Sequence, residues 1–167
     1  GQKSDLHSGN FGGAIHNPLQ ALCEIIARLH DADRRIAIPG FYDRVRRWAD
    51  AERKFMAANG PSDRQILLDA KAVRAWGERG FSLYERTTIR PSLSVTGITR
   101  GYQREGVKAV IPSRATAKLN FRLVPDQDPA EIERLVCQHI ARITPATVRT
   151  TVRNFLAARP ALIDRHH

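Results

Sequence analysis

The stretch Asp5-Leu6-His7-Ser8-Gly9-Asn10-Phe11-Gly12-Gly13 places one histidine among three glycines and short polar side chains, directly ahead of a strong helix start. Glycine at that density lets the backbone turn through positive φ and approach a ligand closely, which suits a scaffolded loop better than core packing. Taken alone, the pattern is equally that of a surface turn with no chemistry. A second candidate is Arg122, on the polar side of an alternating stretch, where its fork of donors could meet a carboxylate. Taken alone, it reads more readily as a solvated arginine. Other chemistry has no foothold. H-E-x-x-H, C-x-x-C, G-x-S-x-G and a phosphate-binding glycine loop are absent from the sequence. Carboxylates do not gather beside histidines at zinc-binding spacing. His16 and His30 read as ordinary surface residues, and His166-His167 reads as a frayed or terminal pair. This chain by itself lacks a catalytic constellation.

The elements that must hold these two residues are legible from pattern. Asn17-Pro18 is a cap followed by proline at the first helical position, and Leu19, Leu22, Cys23, Ile26 and Leu29 continue as one apolar stripe. Residues 34–39, with Ile36 and Ile38 alternating and Pro39-Gly40 closing, predict a short strand. Residues 41–80 change texture: two polar helical stretches, 42–59 and 62–76, are broken at Gly60-Pro61 and read as a helical insertion. Strand periodicity returns at 91–97. A polar loop with two glycines follows at 100–106, then a short extended piece at 107–111. The clearest strand is 115–124, with Ala117, Leu119, Phe121 and Leu123 on one face and Lys118, Asn120 and Arg122 on the other. Lys118 and Asn120 share the face of Arg122 but are not counted as site residues. Asp128-Pro129-Ala130-Glu131 starts a second helix, whose stripe of Ile132, Leu135, Val136, Ile140 and Ile143 ends at Pro145. Residues 148–153 alternate again and predict a final strand.

Two amphipathic helices on one face of a mostly antiparallel sheet give an α+β fold, a two-layer α/β sandwich of ferredoxin-like type with a helical insertion. Such a fold requires a strand before the first helix, for which only residues 1–6 are available. Both ends therefore read as cut where a chain passes to another domain.

Composition bounds the rest. A chain of 167 residues, 42% hydrophobic and 26% charged, is long enough for a core and too apolar to be disordered. Its net charge of +10 suits polyanions, an acidic substrate or an acidic neighbouring domain, yet no run of five basic residues marks a nucleic-acid patch. Cys23 and Cys137 fall on apolar sides of their helices and read as buried free thiols. No apolar run approaches the roughly 18 residues of a membrane span, and no signal-peptide pattern precedes the first helix. A cytoplasmic location without membrane or nucleic-acid partners is the corresponding expectation.

Three segments together carry a resemblance: D-L-H-S-G-x-x-G-G followed by N-P, then I-P-G-F-Y-D at 38–43, then V-I-P-S-R-A-T-A-K-L-N-F-R-L-V-P at 110–125. The chain resembles the dizinc exopeptidases that include carnosinases, aminoacylases, acetylornithine deacetylase and succinyl-diaminopimelate desuccinylase, and within them the dipeptidase branch. That resemblance implies a ferredoxin-like dimerisation or lid domain over residues 1–158, with its insertion at about 41–80. Residues 159–167 would start the return to a catalytic domain carrying two zinc ions and the general base. It further implies a homodimer in which His7, matching the motif histidine, reaches into the partner subunit and stabilises the oxyanion formed when zinc-bound hydroxide attacks a peptide or N-acyl amino acid. Arg122 would contact the substrate's carboxylate. Metal ligands are expected to lie outside this chain, which alone should hydrolyse nothing. The sequence departs from the pattern at Ala109, where related dipeptidases often carry a threonine before V-I-P. Two rival readings are a basic ferredoxin-like RNA-binding module, whose aromatic recognition motif is absent, and a homodimerisation domain with no catalytic role.

Overall fold

The computed structural model describes residues 4–161. Residues 1–3, part of the stretch available for a first strand, and the His166-His167 pair lie outside the described residues. The elements in chain order are β1 (Leu6–His7), α1 (Ser8–Phe11), α2 (Pro18–Ala27), α3 (Asp50–Asn59), α4 (Asp63–Asp69), α5 (Leu83–Thr88), β2 (Ser92–Thr99), β3 (Val110–Ile111), β4 (Thr116–Arg122) and α6 (Pro129–Ile143). Strands β1 and β3 form one antiparallel pair and β2 and β4 another, so the expected α+β architecture is present with its sheet in two pieces. None of the helices among the described residues is long and apolar enough to cross a membrane.

Both long helices start where local chemistry dictates. The Asn17 side chain accepts the Leu19 amide at 2.9 Å, and the Asp128 carboxylate accepts the amides of Ala130 and Glu131, each with proline at the first helical position. Their stripes then meet one face of the β2–β4 sheet. Ile25 from α2, Leu29 just beyond it, Leu93 from β2, and Ile132, Val136, Ile140 and Ile143 from α6 belong to a single buried cluster. Leu119 and Phe121 of β4 pack against it. A bulge between Val95 and Gly97 shifts the register by one, which sets Ile98, itself exposed, opposite Ala117. The other face carries Lys118, Asn120 and Arg122, as the alternation requires.

Elsewhere tertiary context overrides local pattern. The predicted strand at 34–39 is instead an irregular segment, with Ile36 and Ile38 buried, making a single bridge, His30 to Ile36. The Asp31 carboxylate accepts the amides of Asp33 and Arg35 at 2.9 Å each, and Arg34 sits at φ 64°. The amides beyond it are taken by the Tyr42 hydroxyl (Ile36, 3.0 Å) and the Leu29 carbonyl (Ala37, 2.9 Å), so no neighbouring strand is needed. The predicted strand at 148–153 is not formed. That segment runs exposed beside α6, held by Thr150 to Thr144 (2.9 Å) and Asn154 to Glu133 (2.7 Å).

Within the insertion, residues 42–44 lie in a turn and 45–49 are irregular, and the helix begins only at Asp50, where Glu52 accepts the Ala49 amide at 3.0 Å. The second helix ends at Asp69, well short of Trp76, because Lys71 adopts φ 51°. A further helix, α5, follows a reciprocal Ser82–Glu85 capping box. Cys23 is exposed and Cys137 half-buried, both free, which corrects the expectation of two buried thiols. Cys23 shares the stripe's spacing but lies past the edge of the covered face. His30 is half-buried against the Trp76 ring, 5.2 Å between centroids, and is not an ordinary surface residue.

Candidate functional site

His7 is placed by three ties between the first loop and the segment leading into β4. Leu6 pairs with Ile111 and His7 with Val110 across the β1–β3 ladder, and the Ser8 amide donates to the Ala109 carbonyl at 3.2 Å. Asp5 completes the seam, its carboxylate accepting the Ser113 amide at 2.8 Å. That bond, with help from the Ser113 hydroxyl and the charges of Arg100 and Lys108, holds the Asp5 carboxyl below the usual carboxylate range. Two of the sequence motifs, more than a hundred positions apart, are therefore one structural unit, and Ala109 lies at its rim.

The imidazole of His7 is exposed, and its Nδ1 caps α1 by accepting the Gly9 amide at 3.0 Å. Nε2 has no partner among the described residues. The turn that follows is equally tight: a Cβ on Gly12 would stand 2.5 Å from the Ser8 carbonyl oxygen, which explains glycine there.

Arg122 ends β4, in register with Ser92 of β2, on the open polar face. Its guanidinium is exposed and makes no ion pair or side-chain hydrogen bond among the described residues, unlike Arg44, Arg46 and Arg53, which are engaged by Glu131, Asp126 and Glu85. The structure thus joins His7 to the 109–113 segment and leaves Arg122 on the other sheet, with no bond between the two side chains among the described residues. Among the described residues, no group of three or more His, Cys, Asp and Glu side chains is placed to hold a metal ion.

Over residues 2–148 the chain matches the model of one protein family, the peptidase dimerisation domain. It belongs to that family. The domain is 33% identical over 143 residues to the Beta-Ala-His dipeptidase of Mus musculus, covering 83% of this chain and 28% of that protein. It is 32% identical over 140 residues to a Cys-Gly metallodipeptidase of Candida albicans, covering 84% of this chain and 29% of that protein. In three dimensions it is similar to an M20 family metallo-carboxypeptidase from Sulfolobus solfataricus, with a TM-score of 0.73, 32% identity and coverage of 85% and 37% of the two chains. Human carnosine dipeptidase 1 is similar at the same TM-score of 0.73, with 28% identity and coverage of 86% and 31%. The dimerisation domain therefore spans less than a third of the length of the curated relatives it matches.

Asp5 and Gly9 are the contributors that sequence reasoning passed over. Both stood inside the quoted motif. What each does depends on a partner that only folding supplies, Ser113 for Asp5 and the ring of His7 for Gly9.

Proposed function

We propose that this chain is the dimerisation and lid domain of a cytoplasmic dizinc peptidase that hydrolyses dipeptides or N-acyl amino acids. Residues 1–158 form the domain, 41–80 are its helical insertion, and 159–167 begin the return to the catalytic domain. A second copy completes a homodimer, and His7 serves the active site of the partner subunit. The two zinc ions of such an enzyme would be held by the catalytic domain; among the described residues no group of three or more His, Cys, Asp and Glu side chains is placed to hold one.

The observation that carries the reading is His7 itself: an exposed imidazole on a loop anchored at Asp5, Leu6, His7 and Ser8, with one nitrogen satisfied and the other free to donate. A positioned donor about 2.7–3.1 Å from a developing oxyanion is worth about 100- to 1000-fold in rate. Arg122 supports the same reading, because an exposed guanidinium with no partner among the described residues is available to a substrate carboxylate.

The RNA-binding alternative lacks a stacking platform. The outer face of β2 and β4 presents Ser92, Ser94, Lys118, Asn120 and Arg122, while Phe121 turns inward against the ring of Phe41, 5.9 Å away.

The test is hydrolysis of a dipeptide panel by the longer parent enzyme. His7→Ala should lower kcat by about 100-fold or more with zinc content unchanged. Arg122→Ala should raise KM for substrates with a free carboxylate and leave amidated ones alone. An enzyme fully active with alanine at position 7 would reduce the chain to a dimerisation scaffold.

A further inference from the structure

The backbone of the His7 loop determines which nitrogen of the imidazole carries the proton. A backbone amide can only donate, so the 3.0 Å contact from the Gly9 N–H makes Nδ1 an acceptor. In the neutral ring the proton then resides on Nε2, the nitrogen with no partner among the described residues. The imidazolium form, with a proton on each nitrogen, would set Nδ1–H against Gly9 N–H, donor against donor.

The same contact explains glycine at position 9. A Cβ there would lie 2.8 Å from Cε1 and 3.0 Å from Nδ1 of the imidazole, so any larger residue pushes the ring off the amide that orients it. The conformation of Gly9 is helical, within α1, and its requirement is close approach, not positive φ.

We propose that Gly9 is a positioning residue: its amide and its missing side chain hold the His7 ring with Nδ1 as acceptor, presetting Nε2–H as the donor aimed outward before any substrate arrives. This rests on the oxyanion role given to His7 above, and it adds the donor atom and the residue that enforces it. Preorganisation of this kind removes the cost of reorienting the ring during the reaction.

The experiment is nuclear magnetic resonance on the 167-residue chain with ¹⁵N-labelled histidine and glycine. The expected result is an Nδ1 resonance typical of an unprotonated nitrogen, together with a scalar coupling across the hydrogen bond between the Gly9 amide nitrogen and His7 Nδ1. A protonated Nδ1, or no coupling in a folded chain, overturns the proposal. Gly9→Ala should abolish the coupling while the Ser113 amide resonance is retained; coupling that persists would also overturn it. In the parent enzyme the same substitution should lower kcat about tenfold or more, with KM little changed and the loss no larger than that of His7→Ala. If the coupling is present but His7→Ala is fully active, the positioning stands and the oxyanion role fails; if the coupling is absent and His7→Ala is inactive, the reverse holds.

Discussion

Glu78→Ala should loosen the attachment of the insertion to the core. The Glu78 carboxylate is 8% exposed and accepts two parallel bonds from Arg90, both 2.8 Å, with Arg35 Nε a further 3.3 Å away. Arg90 is itself largely covered, its side chain 11% exposed and its guanidinium 4.4 Å from the ring centre of Phe81 and 5.2 Å from that of Tyr42. Removing one partner of a buried ion pair costs about 3–5 kcal/mol, because the remaining charge is stranded. The two rings compensate part of that loss, about 0.5–2 kcal/mol. Arg35 is about half exposed and adds little. The balance is a loss of about 1–4.5 kcal/mol, or about 2–18 °C in Tm for a domain of this size. Urea unfolding followed by circular dichroism measures it. Hydrogen exchange at Ile36, whose amide is held by the Tyr42 hydroxyl, reports whether the loss is local. The double substitution Glu78→Ala with Arg90→Met should recover much of the stability, since no charge is then stranded. A Glu78→Ala loss below about 0.5 kcal/mol, or additivity of the two changes, would refute the claim that this pair clamps the insertion.

Further outcomes follow from other groups. Gln127→Ala should cost about 2–4 kcal/mol in the same urea assay, because the buried amide bridges the Val124 amide (3.0 Å) and the Phe41 carbonyl (2.8 Å) and leaves both unpaired. Burial depresses His30 and His139 below their ordinary value of 6.5, so the unfolded chain binds protons the folded chain refuses; Tm should fall as pH drops below about 6.5. His139→Leu should flatten that slope, since Arg142 donates to Nδ1 and leaves Nε2 buried without a partner among the described residues. The carboxyls of Asp5 and Glu85 lie below their ordinary values of 3.8 and 4.5, held there by Ser113 and Arg53 respectively. Their contribution is present above those values and lost as pH falls through the lower folded ones, which faster exchange of the Ser113 amide in Asp5→Ala, but not in wild type at neutral pH, would register.

The sequence by itself determined the two long helices, the strand bearing Arg122 and the composition of the His7 loop. Each is written locally: a capping residue followed by proline, an apolar stripe at three-four spacing, strict alternation, a glycine-rich motif. The Ser82-to-Glu85 capping box that opens α5 was equally local and could have been read. Alternation misled at 148–153, because a period of two records only that one face differs from the other, and strand formation needs a neighbour with open hydrogen bonds. Likewise Ile36 and Ile38 are buried as alternation implies, but their segment closes on a tyrosine hydroxyl and a helix end. What only the tertiary structure decided was the pairing of distant residues: Arg35 and Arg90 on Glu78, Gln127 beneath Phe41, Asp5 on Ser113. No periodicity encodes these contacts, since each joins side chains whose separation along the chain carries no energy until the core has brought them together. The imidazole of His7 shows the division most plainly. Its residue type and surroundings are in the motif, while the proton on Nε2 is decided by a 3.0 Å contact that exists only once the loop is folded.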